Sequence, residues 1–379
     1  MKFRRSLLAG AIGLAVLAPA SAETELDKLK AEVEALKKEV ASAAEWKTPR
    51  TLVHMAGYAD IGFTDTESEP GTFKMGRFSP IFHYQIDELV MLEAEMEFSV
   101  NELGETEAAL EYLTIDWFMN DHAALIAGKF LSPLGQFRQN MHPSWINKMA
   151  SAPVGFGHDQ AAPNAEVGLQ IRGGFGLGGI SANYAVFMGN GPTAEGDAGE
   201  FEMIESPGLN GNGDGTYVGG GRLGLLFPDQ KLEIGFSAAT GDIDIRTNTD
   251  PLTYEGAKRD YSVLGADLAW RPGNFDVRAE YIQQSIGEQA ASAVPDKADW
   301  TAWYGQVAYR FLPSKWEVVA RYSNYDTPGE EGDRVQIAGG VNYVFESNFV
   351  AKLDYESNDN PNDGFDADNR VLAQLAYGF

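Results

Sequence analysis

The sequence predicts an all-β protein: a 16-stranded antiparallel transmembrane β-barrel preceded by a short N-terminal α-helical coiled coil. Three observations carry the prediction. From Leu52 onward the apolar residues recur with a period of 2. The connections between the resulting segments alternate strictly between short and long. The final residues place an apolar side chain at every second position up to a terminal Phe379. Alternation of this kind over many segments, with tight turns on one side and long loops on the other, is what a closed membrane barrel requires.

Composition narrows the function classes before any motif is read. The chain has 379 residues, 42 Gly, no Cys, and 55 acidic against 29 basic residues, for a net charge of -26. Without Cys there is no disulfide framework, thiolate metal site or cysteine nucleophile. An acidic excess of this size argues against nucleic acid as a partner, because such binders need a basic footprint to displace counterions from phosphate.

Residues 1–22 read as a signal peptide. Lys2, Arg4 and Arg5 form a basic start, Leu7 to Leu17 an apolar stretch, and Ala20-Ser21-Ala22 a small-residue cleavage site. The stretch is shorter than the roughly 20 apolar residues of a spanning helix. Cleavage removes three bases and no acid, moving the net charge from -26 to -29.

Residues 23–45 read as a coiled-coil helix. Leu26, Leu29, Val33, Leu36 and Val40 are spaced 3, 4, 3 and 4, an a/d seam. Glu25 and Glu32 fall at g, Lys30 and Lys37 at e, so charge pairing between chains favours parallel self-association. The alternative is a single amphipathic helix lying on its own domain. Residues 46–51, with Pro49, form the linker.

The barrel is expected over 52–379. Its segments are 52–63, 71–84, 88–100, 106–118, 122–131, 165–175, 178–189, 216–228, 230–240, 259–271, 274–285, 298–312, 315–325, 333–346, 348–357 and 368–379. Tight links such as Asn120-Asp121 and Pro272-Gly273 alternate with long polar connections at 64–70, 101–105, 132–164, 190–215, 241–258, 286–297, 326–332 and 358–367. Within a strand one face is apolar and the other charged: Phe349, Ala351, Leu353 and Tyr355 oppose Lys352, Asp354 and Glu356. A soluble sandwich alternates in the same way. Aromatics near strand ends, including Phe175, Phe227, Trp270, Phe275, Phe311, Trp316, Tyr343, Phe345 and Phe349, point instead to girdles at the two membrane interfaces.

Val371, Ala373, Leu375, Tyr377 and Phe379 end the chain on alternate positions. This resembles the C-terminal signature of Gram-negative outer-membrane β-barrels. With the signal peptide and the alternating turns, the chain resembles sixteen-stranded trimeric porins over Leu52 to Phe379. The coiled-coil prefix makes it similar to the phosphate- and dicarboxylate-type porins, although no tight ladder of Lys and Arg is evident. The resemblance implies a homo-oligomer, a trimer, in the outer membrane. It implies contact with lipid and lipopolysaccharide, the helix in the periplasm, and passive diffusion of ions and small hydrophilic solutes without cofactor or enzymatic activity.

The resemblance also implies that the 132–164 connection folds into the lumen. Its Gly135, Gly155, Gly157 and four Pro suit a fixed irregular path, and Arg138, His142, Trp145, Lys148 and His158 supply polar chemistry. A loop over the rim or a neighbouring subunit is the alternative. On the wall, Glu93, Glu95 and Glu97 share one face of the third strand, opposite Leu92, Ala94, Met96 and Phe98. Arg222, Arg278 and Arg321 sit mid-strand, where a lipid-facing charge would cost about 2–4 kcal/mol, so the lumen is the expected place for each. Acids on one arc and bases on the opposite arc would set a transverse field; alternatively these charges pair with each other and solvate the wall. The outer loops carry much of the remaining acid and should concentrate cations at the mouth.

Other chemistries find little support. Asn210, Asn212 and Asp214 begin like a calcium loop, but Gly221 stands where the bidentate Glu is needed. The five His lack an HExxH arrangement, no GxSxG elbow occurs, and Gly219, Gly221 and Gly224 lie in a strand with no following helix. The competing classes are an outer-membrane hydrolase using His142 or His158 and a structural or adhesive barrel with a plugged lumen.

Overall fold

The computed structural model describes residues 51–158, 160–197, 199–211, 213–246, 253–328, 332–359 and 368–379, together with Glu34 and Lys37. The chain divides into Met1–Thr51 and Leu52–Phe379. In the first unit Glu34 and Lys37 are helical, and Lys37 Nζ lies 3.2 Å from Glu34 Oε1. The signal peptide and the seam residues Leu26, Leu29, Val33, Leu36 and Val40 lie outside the described residues.

Among the described residues, the second unit has nineteen strands. They are β1 (Thr51–Thr66), β2 (Thr72–Ile86), β3 (Val90–Val100), β4 (Thr106–Asn120), β5 (Ala123–Leu131), β6 (Ala165–Leu177) and β7 (Ile180–Gly189). Next come β8 (Thr193–Asp197), β9 (Glu200–Glu205), β10 (Val218–Phe227), β11 (Leu232–Ile243), β12 (Ile245–Arg246) and β13 (Arg259–Trp270). The last are β14 (Phe275–Ile286), β15 (Ala298–Arg310), β16 (Trp316–Asp326), β17 (Arg334–Glu346), β18 (Phe349–Asp359) and β19 (Arg370–Gly378). Sixteen of them form one closed barrel in which chain neighbours pair, and β1 closes on β19. The closing register runs from Tyr58 opposite Gly378 to Thr66 opposite Arg370, so the alternating C-terminal segment is the strand that seals the cylinder.

Two expectations need correction. The connections at 190–215 and 241–258 are not wholly irregular, because β8, β9 and β12 form a separate three-stranded sheet. It is held by Arg246, which pairs with Glu195 on β8 and with Glu205 on β9, at 2.7 Å in the second case. The nine aromatics named above form one belt rather than two, since each stands at the short-turn end of its strand. Ring contacts run along this rim from Trp316 through Tyr343, Phe345, Phe349 and Tyr377 to Phe379, which stacks on Phe78 mid-way along β2. An amphipathic ring is most stable at the headgroup level, so the belt marks one membrane boundary.

Alternation assigns the two faces. On β18 Leu353 and Tyr355 are 57% and 53% exposed, while Lys352, Asp354 and Glu356 are buried. On β16 Trp316, Val318 and Tyr322 are exposed, while Glu317, Arg321 and Ser323 are buried. The apolar face is therefore outside, and the charged face is inside and covered by protein. The main apolar cluster lies within the cylinder, among Ile126, Phe130, Phe187, Ile282 and Trp300 of the wall and Leu134, Phe137 and Phe156 of the 132–164 segment. A bulge between Glu95 and Met96 in the β3–β4 pairing leaves Glu111 without an opposite residue.

Replacing Leu353 by Arg is expected to destabilise the barrel by about 2–4 kcal/mol in reversible unfolding from lipid vesicles. A loss below roughly 1 kcal/mol would place Leu353 outside the hydrocarbon layer.

Candidate functional site: a loop pinned across the lumen

The segment between β5 and β6 is rich in Gly and Pro and cannot hold a regular strand. Gly135 and Gly155 both have left-handed backbones, with φ of +81° and +86°. A Cβ at the first would strike the Glu280 carboxylate, and at the second Ala302 and Tyr325. Both glycines thus give the wanted φ and let the backbone press against the wall.

Inner-face side chains of the wall bind this backbone at successive points. Ser237 Oγ on β11 accepts from Gly135 N–H at 3.0 Å. The Glu280 carboxylate on β14 accepts from Gln136 N at 3.2 Å and Phe137 N at 2.9 Å. A short π-helical turn, Phe137–Met141, follows. Lys352 on β18 donates to Ser144 O at 2.5 Å and Met149 O at 3.0 Å, and Asp354 accepts from Ala150 N at 2.6 Å. Arg321 on β16 donates to Ser151 O at 2.9 Å and Ala152 O at 3.2 Å, while its side chain lies 3.5 Å from Glu356. Lys148 pairs with Glu317 at 3.0 Å, and Gln284 donates to Gln160 O at 3.1 Å. These wall residues occupy the face opposite the lipid-exposed one, so the segment runs inside the cylinder.

Apolar anchoring adds to the polar pins. Phe156 meets Tyr304 edge-on with ring centres 5.0 Å apart, Phe137 packs against both, and Met149 is buried with Ala308, Val319 and Ala338. Burial of each such side chain contributes about 1.5–3 kcal/mol, and each aromatic pair about 0.5–1.5 kcal/mol more. The loop reaches the other arc at His142, whose Nε2 is 3.9 Å from Glu95 Oε1.

The glutamates singled out from the sequence sit together on β3. Glu93 accepts from Tyr112 OH at 3.2 Å and lies 3.3 Å from His83 Nε2. Glu95 is 1% exposed and accepts from Tyr58 OH at 2.9 Å, and Glu97 pairs with Arg77 at 3.0 Å. The arginines do not form a free arc opposite them. Arg222 holds Asp267 by two bonds of 2.7 and 2.6 Å and Glu233 by one of 3.0 Å. Arg278 holds Asp276 at 2.6 Å and Gln136 at 3.3 Å. Arg321 is buried against the loop, and Arg138 lies within the loop, donating to Phe156 O at 3.3 Å and to Asn164 Oδ1. Arg222 and Arg321 thus each lie beside a carboxylate, and Arg278 shares Asp276 with Arg271. The sequence places Lys352, Asp354 and Glu356 on a charged strand face but gives no sign that they, or Glu280, bind the loop; a strand's alternation tells which way a residue points and not what covers it.

Among the described residues, several cavities flank the loop. One of about 600 Å³ opens at the short-turn end, with Arg172, Arg222, Arg271 and Arg278 facing Asp121, Glu233, Gln139 and Asn140. A second of about 330 Å³ lies between the loop and β1–β3, bounded by Asp60, Arg77, Glu97, Arg138, His142 and His158. A narrower one of about 180 Å³ runs beside Glu93, Tyr112, Gln170 and Arg172. Among the described residues no group of three or more His, Asp or Glu converges as a metal site. Burial, reinforced by Arg138 and Arg77, pulls the pKa of the loop residue His158 down from 6.5 to about 4.

The chain matches the family profile "Phosphate-selective porin O and P" over residues 82–379. No curated protein matches its sequence. Among solved structures it is similar to the anion-selective porin from Comamonas acidovorans, at 10% identity and a TM-score of 0.58, covering 87% of this chain and 100% of that one. The outer-membrane channel DcaP of Acinetobacter baumannii is similar at 10% identity and 0.58, covering 88% and 98%. OmpT of Vibrio cholerae, in its trimer form, matches at 12% identity and 0.56, covering 87% and 99%.

Replacing Arg321 by Met leaves the Ser151 and Ala152 carbonyls without their donor while Glu356 keeps Arg370 at 2.6 Å, and a loss of about 1–3 kcal/mol in unfolding free energy is expected. An unchanged unfolding midpoint would show that the loop is held without Arg321. His158 stays neutral in the fold to about pH 4, whereas the unfolded chain takes up that proton near 6.5. Its contribution is therefore fully present above about pH 6.5 and is lost as pH falls toward 4. His158→Gln should flatten the stability profile across that window; an unaltered slope would mean that His158 titrates normally.

Proposed function

The chain belongs to the phosphate-selective porin O and P family and is an outer-membrane porin, and from that premise we propose that the 132–164 loop is the constriction that sets its selectivity. The observation that carries this reading is the pinning of the loop by inner-wall groups from β11 to β18, which confines solutes to the arc of β1–β7 and β10. Along that path the solute meets Glu93 and Glu97 on the wall, with Glu95 buried between them against Tyr58, and the loop edge at Arg138 and His142. Arg222 and Arg278 line the short-turn vestibule, while Arg321 and Lys148 hold the loop in place.

The pore prefers small cations and neutral hydrophilic solutes. Each mid-barrel arginine faces a carboxylate at bonding distance, so little positive charge is left for an anion. The acidic loops raise the cation concentration at the outer mouth. The assembly is a homotrimer, a state supported by the trimer form of the Vibrio cholerae relative. After removal of residues 1–22, the helix at 23–45 stands in the periplasm and joins the subunits through Leu26, Leu29, Val33, Leu36 and Val40. Outer-membrane lipid covers the apolar face, and lipopolysaccharide meets the acidic outer loops.

In a planar bilayer under a potassium chloride gradient the reversal potential should take the sign set by cations, and Glu93→Gln with Glu97→Gln should move it toward zero. A sign set by anions, with phosphate blocking the chloride current, would replace this reading with an anion pathway through the arginine-lined vestibule.

A further inference from the structure

Three histidines lie outside the constriction, His54, His83 and His122, and the first two meet. His54 on β1 and His83 on β2 meet on the inner face, with ring centres 5.5 Å apart. Their Nδ1 atoms approach to 3.4 Å. For a hydrogen bond between ring nitrogens this is long. It equals the spacing of two nitrogens on one tetrahedral cation, which at Zn–N distances of 2.0–2.1 Å is about 3.4 Å. His83 Nε2 lies 3.3 Å from Glu93 Oε1, and Glu93 in turn accepts from Tyr112 OH at 3.2 Å. With Nε2–H directed at the carboxylate, His83 turns its Nδ1 lone pair toward His54. A carboxylate behind a histidine is the arrangement that orients a metal-ligating imidazole and raises its basicity.

We propose that His54 and His83 form a binding site for a divalent transition-metal cation near the short-turn mouth of the lumen, with Glu93 as the positioning residue. The two imidazoles supply two of four tetrahedral positions and water fills the others. Imidazole pairs favour zinc, copper or nickel over the oxygen-seeking magnesium and calcium. The exposure of His54 leaves the site open to the lumen, so the cation exchanges with solution. The site stands on the geometry of β1–β4; only its effect on current rests on the pore reading above.

The test is calorimetric titration of the full chain in detergent with zinc chloride at neutral pH, with magnesium chloride as the comparison. One zinc per chain should bind, and magnesium should not compete. His54→Asn and His83→Asn should each weaken binding about tenfold or more, Glu93→Gln about tenfold, and His122→Asn not at all. Wild-type strand content in circular dichroism shows that each variant has folded. Absence of zinc binding in the wild type, or binding that survives the paired His54→Asn and His83→Asn substitution, overturns the site. In a bilayer, zinc added on the short-turn side should lower the conductance of the wild type and not that of the paired variant. Zinc that binds yet leaves the current unchanged supports the site and counts against this lumen as the conducting path.

Discussion

A sheet inside a bilayer has no water to satisfy the peptide groups along its edges, so it must close on itself. In this chain closure is the pairing of β1 with β19 over Tyr58 to Thr66, which joins the first strand to the last. Once the cylinder is shut, every strand has one face toward hydrocarbon and one toward the lumen. The period of 2 then separates the side chains completely: Leu353 and Tyr355 outward, Lys352, Asp354 and Glu356 inward. The charges that could not be tolerated in lipid are gathered within, where they must find partners of their own.

Some partners are other wall groups, as Asp267 is for Arg222, and on β14, β16 and β18 they come from the loop. A wall carrying Glu280, Arg321, Lys352 and Asp354 at buried positions would be unstable against an empty hydrocarbon-like interior, and water alone would leave it without shape. The 132–164 segment instead offers its own N–H and C=O groups, with acids taking amides and bases taking carbonyls. Phe137, Phe156 and Met149 exclude water from the same contacts. The irregular backbone inside the membrane is thereby satisfied without a regular ladder. What the loop leaves open lies mainly along β1–β7, beside wall charges that the loop does not bind.

Most of the architecture was legible in the sequence because closure imposes its periodicity on every strand. The sixteen segments read from the alternation correspond to the sixteen barrel strands, with ends differing by a few residues. The small β8–β9–β12 sheet was not legible: its strands are short and polar, and a pair as brief as Ile245–Arg246 has no periodicity to read. The aromatic belt was misread as two because distance from a strand end does not say which end, and only the direction of each strand shows that all nine rings share one rim. At the site, the alternation correctly marked residues as charged and inward on β14, β16 and β18. It could not separate those that would meet solute from those that would bind the loop, since that depends on contacts between residues as far apart as Ala150 and Asp354. The proximity of His54 and His83 was hidden for the same reason.

The central claim is that the loop lies against the inner wall at β18. Because the chain has no cysteine, a pair can be introduced on a silent background. Ala150→Cys with Asp354→Cys, oxidised in the folded protein in its membrane, measures that contact directly, since Ala150 N and Asp354 Oδ2 are 2.6 Å apart. The account predicts efficient formation of an intrachain disulfide that shifts the electrophoretic mobility of the denatured chain. Two free thiols, with the one at position 150 labelled from the outer face by an impermeant bulky maleimide, would place the loop outside the lumen and contradict it.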